Sequence, residues 1–178
     1  MANPNIPRGA IPIQRSGGAS WRDSANVYFV PHGNTNALYV GDFVTKVTGS
    51  ADTGGVNGID LTAAGANPIT GVVVGFVGAC KAGAGLNAAS FWPLTTSGGT
   101  MYRPASTTQD YYALVVDDPL CEFLIQENDD SGGVAGTPLP VTAVGKNANF
   151  VHAAGNVYGL SGTMLDANTV GTTNTLQL

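Results

Sequence analysis

Six consecutive residues, Tyr111 to Val116, are aromatic, β-branched or aliphatic, and Asp117, Asp118 and Pro119 end the run abruptly. Proline has no amide hydrogen to give a sheet, and it pushes its predecessor toward extended backbone, so the break is a turn and not a helix start. Beyond it Cys121, Phe123 and Ile125 alternate with Glu122, Leu124 and Gln126. That period of two sends one set of side chains to a core and the other outward. The stretch from Met101 to Asp130 therefore predicts strand, turn, strand, closed as a hairpin. Leu124 breaks the polar face. It is either a solitary exposed leucine or part of a surface that another protein covers.

The rest of the chain repeats this grammar. Of 178 residues only 11% are charged, and there are 25 glycines. Such a composition suits short strands and tight turns in one all-β domain, a sandwich or barrel with jelly-roll-like connections as the leading topology. The formal charge of −5, without a lysine or arginine cluster, argues against nucleic acid as a partner. The charge is unevenly spread: residues 1–25 hold Arg8, Arg15 and Arg22 against Asp23, a net +2, which leaves −7 for the remainder. The longest uncharged apolar stretch, around Gly71 to Cys80, falls well short of the ~20 residues that a membrane helix needs. Nothing in the opening residues resembles a secretory signal, so folding in a reducing cytosol is expected, with Cys80 and Cys121 as two thiols and a single disulfide as the alternative.

Residues 1–25 carry Pro4, Pro7 and Pro12 and predict an extended N-terminal arm; residues 26–178 form the domain. Ile6, Ile11, Ile13 and Trp21 make the arm too apolar for a solvated tail, so it either folds back on its own domain or lies across another subunit. Strands are predicted at Asn26 to Val30, over Ala37 to Thr48 with a bulge at Gly41 and Asp42, around Ile59 and Leu61, and from Ile69 to Val77. The valines at 72, 73 and 74 mark the last as the central strand, covered on both faces. Residues 78–99 form a long loop holding Phe91, Trp92 and Leu94, and a loop of that length with aromatics predicts a contact. Further strands are expected at Val141 to Val144, at Asn149 to Val151 and at the closing TNTLQL. An apolar strand at that position predicts a chain that continues or a pairing outside the monomer.

Catalytic and ligand chemistry is sparse. The two histidines, His32 and His152, share no motif and are expected on the surface or at strand ends. Gly83, Gly85 and Ala88 match a dinucleotide-binding glycine pattern, but no helix or ribose-binding acid follows at the required distance. The carboxylates at Asp117 and Asp118 and at Glu127, Asp129 and Asp130 are read first as turn formers; calcium binding and glycoside hydrolysis are the other readings. No catalytic residue, metal or cofactor is assigned.

Tyr102, Arg103, Pro104, Ala105 and Ser106, the strand ending at Asp117, Asp118 and Pro119, and Phe123, Ile125, Gln126 and Glu127 together resemble a family of small structural proteins of tailed bacteriophages. Asn26 to Tyr28, Gly71 to Phe76, Leu160 to Gly162, Leu165 and Asp166 support the likeness. The resemblance implies a β-rich capsid decoration or cement protein on the outer face of an HK97-like shell, made in the host bacterial cytoplasm and carried on the virion. Its partners would be the major capsid protein and further copies of itself, as a dimer or trimer, with no nucleic acid or membrane. On this reading the chain is not an enzyme. The residues expected to touch the shell or a neighbouring subunit are Ile6, Arg8, Ile11, Ile13, Arg15, Trp21, Phe91, Trp92, Leu94 and Leu124. A carbohydrate-binding or adhesin-like sandwich, stacking sugars on Trp21, Phe91 and Trp92, is the alternative.

Overall fold

The computed structural model describes residues 6–21, 24–64, 68–86, 102–128, 139–174 and 176–178. They form an all-β structure whose centre is a closed five-stranded barrel. Its strands are β2 (Ala25–Val30), β3 (Phe43–Ala51), β4 (Asn57–Leu61), β5 (Gly71–Lys81) and β6 (Gln109–Val116), in the order β2-β4-β3-β5-β6 with β6 closing back on β2. Within the barrel, among the described residues, β2 and β4 are the parallel pair and the other pairings are antiparallel. Of the expected architectures the barrel is the one that forms.

Period-two alternation builds the barrel core. Tyr28 and Val30, Val44, Ile59, Val73, and Tyr111, Ala113 and Val115 point inward and pack together with Leu38. The outward set is covered as well. Phe29, Tyr112 and Cys80 form one outer cluster, and Phe43 and Val72 pack with Ala10 and Phe150 in another. Burial on both faces is why Tyr111 to Val116 and Val72 to Val74 read as apolar runs without alternation.

Two smaller sheets lie outside the barrel. β1 (Ile11–Arg15) pairs antiparallel with β7 (Cys121–Leu124). A four-stranded sheet has the order β11-β9-β10-β8, from β8 (Glu127–Asn128), β9 (Asn147–Val151), β10 (Met164–Gly171) and β11 (Leu176–Gln177). Phe43 on β3 meets Phe150 on β9 with ring centroids 4.8 Å apart, which seats the second sheet on the barrel.

Several expectations change. The hairpin does not form: β6 and β7 follow one another through a turn but do not pair. Both edges of β6 are occupied, by β2 and by β5, so β7 has no edge to join there and takes β1 instead. The described part of the arm folds back on its own domain through that pairing. Strand β5 runs on to Lys81, four residues into the segment read as loop. Val141–Ala143 is a 3-10 turn and not a strand; it follows Pro140, and Val141 and Val144 stand in solvent with no partner strand. The closing strand pairs within the chain, Leu176 opposite Ala148 and Gln177 opposite Asn147. Phe91, Trp92, Leu94, Asp129 and Asp130 lie outside the described residues.

Candidate interaction surface

The β1–β7 ribbon gathers several of the residues expected to make contacts. Pro12 removes a ladder donor, which only an edge strand tolerates, and β1 is such a strand. Ile11 stands opposite Leu124, Pro12 opposite Phe123, Gln14 opposite Glu122 and Arg15 opposite Cys121. Ile13 is the extra residue at the register shift between Pro12 and Gln14, a bulge. The inner face holds buried Pro12, with Phe123 and Ile125 packed on Ala10, Phe43, Val72 and Phe150. The outer face leaves Ile11 38%, Ile13 53% and Leu124 60% exposed. Ile6, before the strand, and Leu120, in the turn leading into β7, are exposed too.

The ribbon is anchored at both ends. The Ala10 amide donates to the Gly41 carbonyl at 2.9 Å, beneath a close crossing of Gly9 and Gly41 where a side chain on either would strike the other segment's backbone. At the far end the Ser16 amide donates to the Leu120 carbonyl at 2.7 Å, and Arg15 Nε lies 2.5 Å from Asp118 Oδ2. Gln14 Nε2 donates to Glu122 Oε2 at 2.8 Å between them. The exposed apolar side chains are thus held on a fixed platform.

The remaining site expectations separate. Arg8 is exposed, Arg15 is engaged with Asp118, and Trp21 is half-buried beyond the ribbon. The acidic pair serves local structure: Asp117 accepts from the Tyr28 hydroxyl at 2.6 Å and from Asn26 Nδ2 at 2.8 Å, and Asp118 accepts from the Leu120 amide at 2.9 Å. Glu127 accepts from the Leu139 amide. Among the described residues no group of three or more His, Cys, Asp or Glu side chains is placed to hold a metal ion. Both cysteines are free, Cys80 buried and Cys121 half-buried. Burial pushes both thiols above their ordinary range. No helix among the described residues is long and apolar enough to cross a membrane.

Sequence reading missed two features. Leu120 belongs with the ribbon, but it sits in the turn after Pro119, where strand periodicity gives no signal. A buried polar cluster also joins the barrel to the second sheet. Asp42 accepts from the Ser161 hydroxyl at 2.5 Å, the Tyr39 amide at 2.8 Å and the Thr163 hydroxyl at 3.2 Å. His152, at the end of β9, reaches Thr163 Oγ1 and the Thr62 carbonyl. A lone aspartate beside a glycine looked like a bulge, and nothing in the local pattern distinguished it.

Comparison with family models, with curated proteins and with solved structures finds no match to this chain. What the geometry defines is a class: an all-β barrel protein that carries an apolar ribbon on its surface.

Proposed function

We propose that this chain is a capsid decoration, or cement, protein that binds the outer face of an HK97-like phage head through the β1–β7 ribbon and strengthens contacts between major capsid protein subunits. The observation that carries the reading is the facing pair Ile11 and Leu124, exposed on a ribbon that is itself firmly anchored. A pre-set apolar surface loses little conformational freedom on docking. The scarcity of charge over the chain and the likeness of the Tyr102 to Glu127 run to phage structural proteins support the same reading.

A cement protein works by mass action. Binding the assembled lattice and not its separated subunits shifts the equilibrium toward the shell. An interface of ~1,000 Å² is the scale for one specific contact, and a dimer or trimer engaging several subunits adds avidity. On this reading the chain has no reaction to perform and its place is the virion surface.

The test is co-sedimentation with purified expanded shells, comparing wild type with the double variant Ile11→Asp, Leu124→Asp. Both side chains are exposed, so the unfolding midpoint should change little, while shell occupancy should fall at least tenfold. Undiminished occupancy by a folded double variant refutes the assignment of the ribbon. Failure of the wild-type protein to bind any such shell refutes the function.

A further inference from the structure

We propose that Asp42 and His152 hold one proton in common across the junction between the barrel and the second sheet, and that this proton makes the junction pH-sensitive. The argument is a count of hydrogens. His152 Nε2 lies 2.5 Å from the Thr62 carbonyl, which only accepts, so Nε2 carries a hydrogen. His152 Nδ1 lies 2.8 Å from Thr163 Oγ1, and that same oxygen lies 3.2 Å from Asp42 Oδ1. Thr163 has one hydroxyl hydrogen for two neighbours. If Nδ1 and the carboxylate both lack a proton, one of the two contacts has no hydrogen in it.

One added proton completes the chain in either of two ways. On Nδ1, it lets the ring donate to Thr163 and Thr163 donate to the carboxylate. On Asp42, it lets the carboxyl donate to Thr163 and Thr163 donate to Nδ1. Both arrangements carry the same number of protons, and both keep every contact between β9, the segment entering β10 and the barrel.

The surroundings favour retaining that proton. Asp42 is 3% exposed, and its other bonds come from the Ser161 hydroxyl and the Tyr39 amide. The titratable groups facing it are His152 from β9 and Tyr39 from its own segment, with Tyr102 stacked on Tyr39 at 4.6 Å. Among the described residues no lysine or arginine forms an ion pair with it. Burial raises the Asp42 carboxyl above its ordinary range, while the Ser161, Tyr39 and Thr163 bonds and His152 pull the other way. A cleft of about 350 Å³ lined by Tyr39, Asp42, Leu61 and His152 gives the proton a route to solvent.

The direction follows. A group that keeps its proton to higher pH in the folded state than in the unfolded chain stabilises the fold below the unfolded value, and that stabilisation is lost as pH rises through the folded value. In the unfolded chain the same proton rests on a free imidazole and leaves near the ordinary value of about 6.5, so the junction is tight below that value and loosens as pH rises through the folded value.

The test is urea unfolding of the whole chain from about pH 5 to pH 9, across the ordinary imidazole value of about 6.5 above which the difference should appear, for wild type, Thr163→Val, Thr163→Ser and Asp42→Asn. In wild type and Thr163→Ser the unfolding constant should rise with pH, at most about tenfold per pH unit for one proton. Thr163→Val and Asp42→Asn should lack that component. A purely structural hydroxyl would shift stability equally at every pH, so a Thr163→Val curve parallel to wild type overturns the proposal. If Thr163→Val does not fold, Asp42→Asn decides in the same way: a pH dependence equal to wild type overturns it.

Discussion

Arg103 Nη1 donates to the Asn36 carbonyl at 2.6 Å from a side chain with no solvent exposure. The same guanidinium donates to the carbonyls of Asn34, Pro31 and His32, and the Arg103 and Leu38 backbones form a bridge at the same place. A planar fork thus ties down the whole segment that leaves β2. Lysine offers a point charge on a flexible stem and cannot reach four carbonyls at once. Arg103→Lys and Arg103→Met should each cost about 3 kcal/mol or more, since both remove the fully buried guanidinium that donates to these four carbonyls. Urea denaturation measures this; a loss within about 0.5 kcal/mol, the usual surface value, would show that the fork is dispensable.

Four of the six tyrosines should resist ionisation. Burial raises Tyr28, Tyr39, Tyr111 and Tyr112 above the ordinary phenol range; the Asp117 carboxylate adds to this at Tyr28 and the Asp52 carboxylate at Tyr112. A phenol whose folded value is raised contributes stability below its unfolded value of about 10, and that contribution disappears as pH rises through the folded value. Alkaline titration followed by phenolate absorbance should show these four appearing together with loss of the fold. Smooth ionisation of all six near the free-phenol value, with structure intact, would contradict the buried hydrogen bonds.

How far the fold could be read from the chain depended on the range of the interaction. Strand positions follow from local periodicity, and β2, β4, β6 and β7 lie close to where alternation and apolar runs put them. Pairing is a long-range property. Nothing near Asp117 to Pro119 reveals that the preceding strand has both edges filled, and so the strand, turn, strand signal suggested a hairpin that barrel closure forbids. Val141 to Val144 failed for the converse reason: β-branched residues favour a strand only when a neighbouring strand is there to receive them. In the ribbon, Leu124 was legible because it broke a polar alternation, and Ile11 and Ile13 because they made a proline-rich arm too apolar. That they meet across two strands required the register. The Asp42 and His152 cluster assembles from four distant segments, beyond the reach of any window.

Asp52 organises the β3–β4 turn. Its carboxylate accepts from the amides of Gly54, Val56 and Leu86 and from the Tyr112 hydroxyl. Burial opposes its ionisation, but these four donors together hold it below the ordinary carboxylate range. A depressed carboxyl stabilises the fold above its unfolded value, and the benefit is lost as pH falls through the folded value. Asp52→Ala should cost about 1–2 kcal/mol at neutral pH from amides left unmatched. It should also flatten the acid limb of the stability curve, as followed by urea midpoints at descending pH. An acid limb as steep as in wild type would mean that other carboxylates carry it.

Removing residues 1–25 tests whether the arm is an appendage or part of the domain. From sequence, the truncated protein is expected to stay folded and to occupy a capsid shell less fully. The structure predicts otherwise, because β1 is the strand that pairs β7, and Ala10 and Pro12 are buried in the arm's contacts. Deletion would also take Ala25, the first residue of β2, and would uncover Phe123 and Ile125, which pack with Phe43, Val72 and Phe150. Exposing that apolar cluster should cost several kcal/mol on the scale of about 25 cal/mol per Å². Arg15→Ala makes the milder comparison. Its ion pair with Asp118 is partly exposed, so global stability should fall by about 1 kcal/mol or less, while amide exchange should quicken in β1 and β7 ahead of the barrel. Exchange quickening equally throughout would mean that the ribbon and barrel open as one unit, and a fully stable truncation would show that the ribbon contributes nothing to the core.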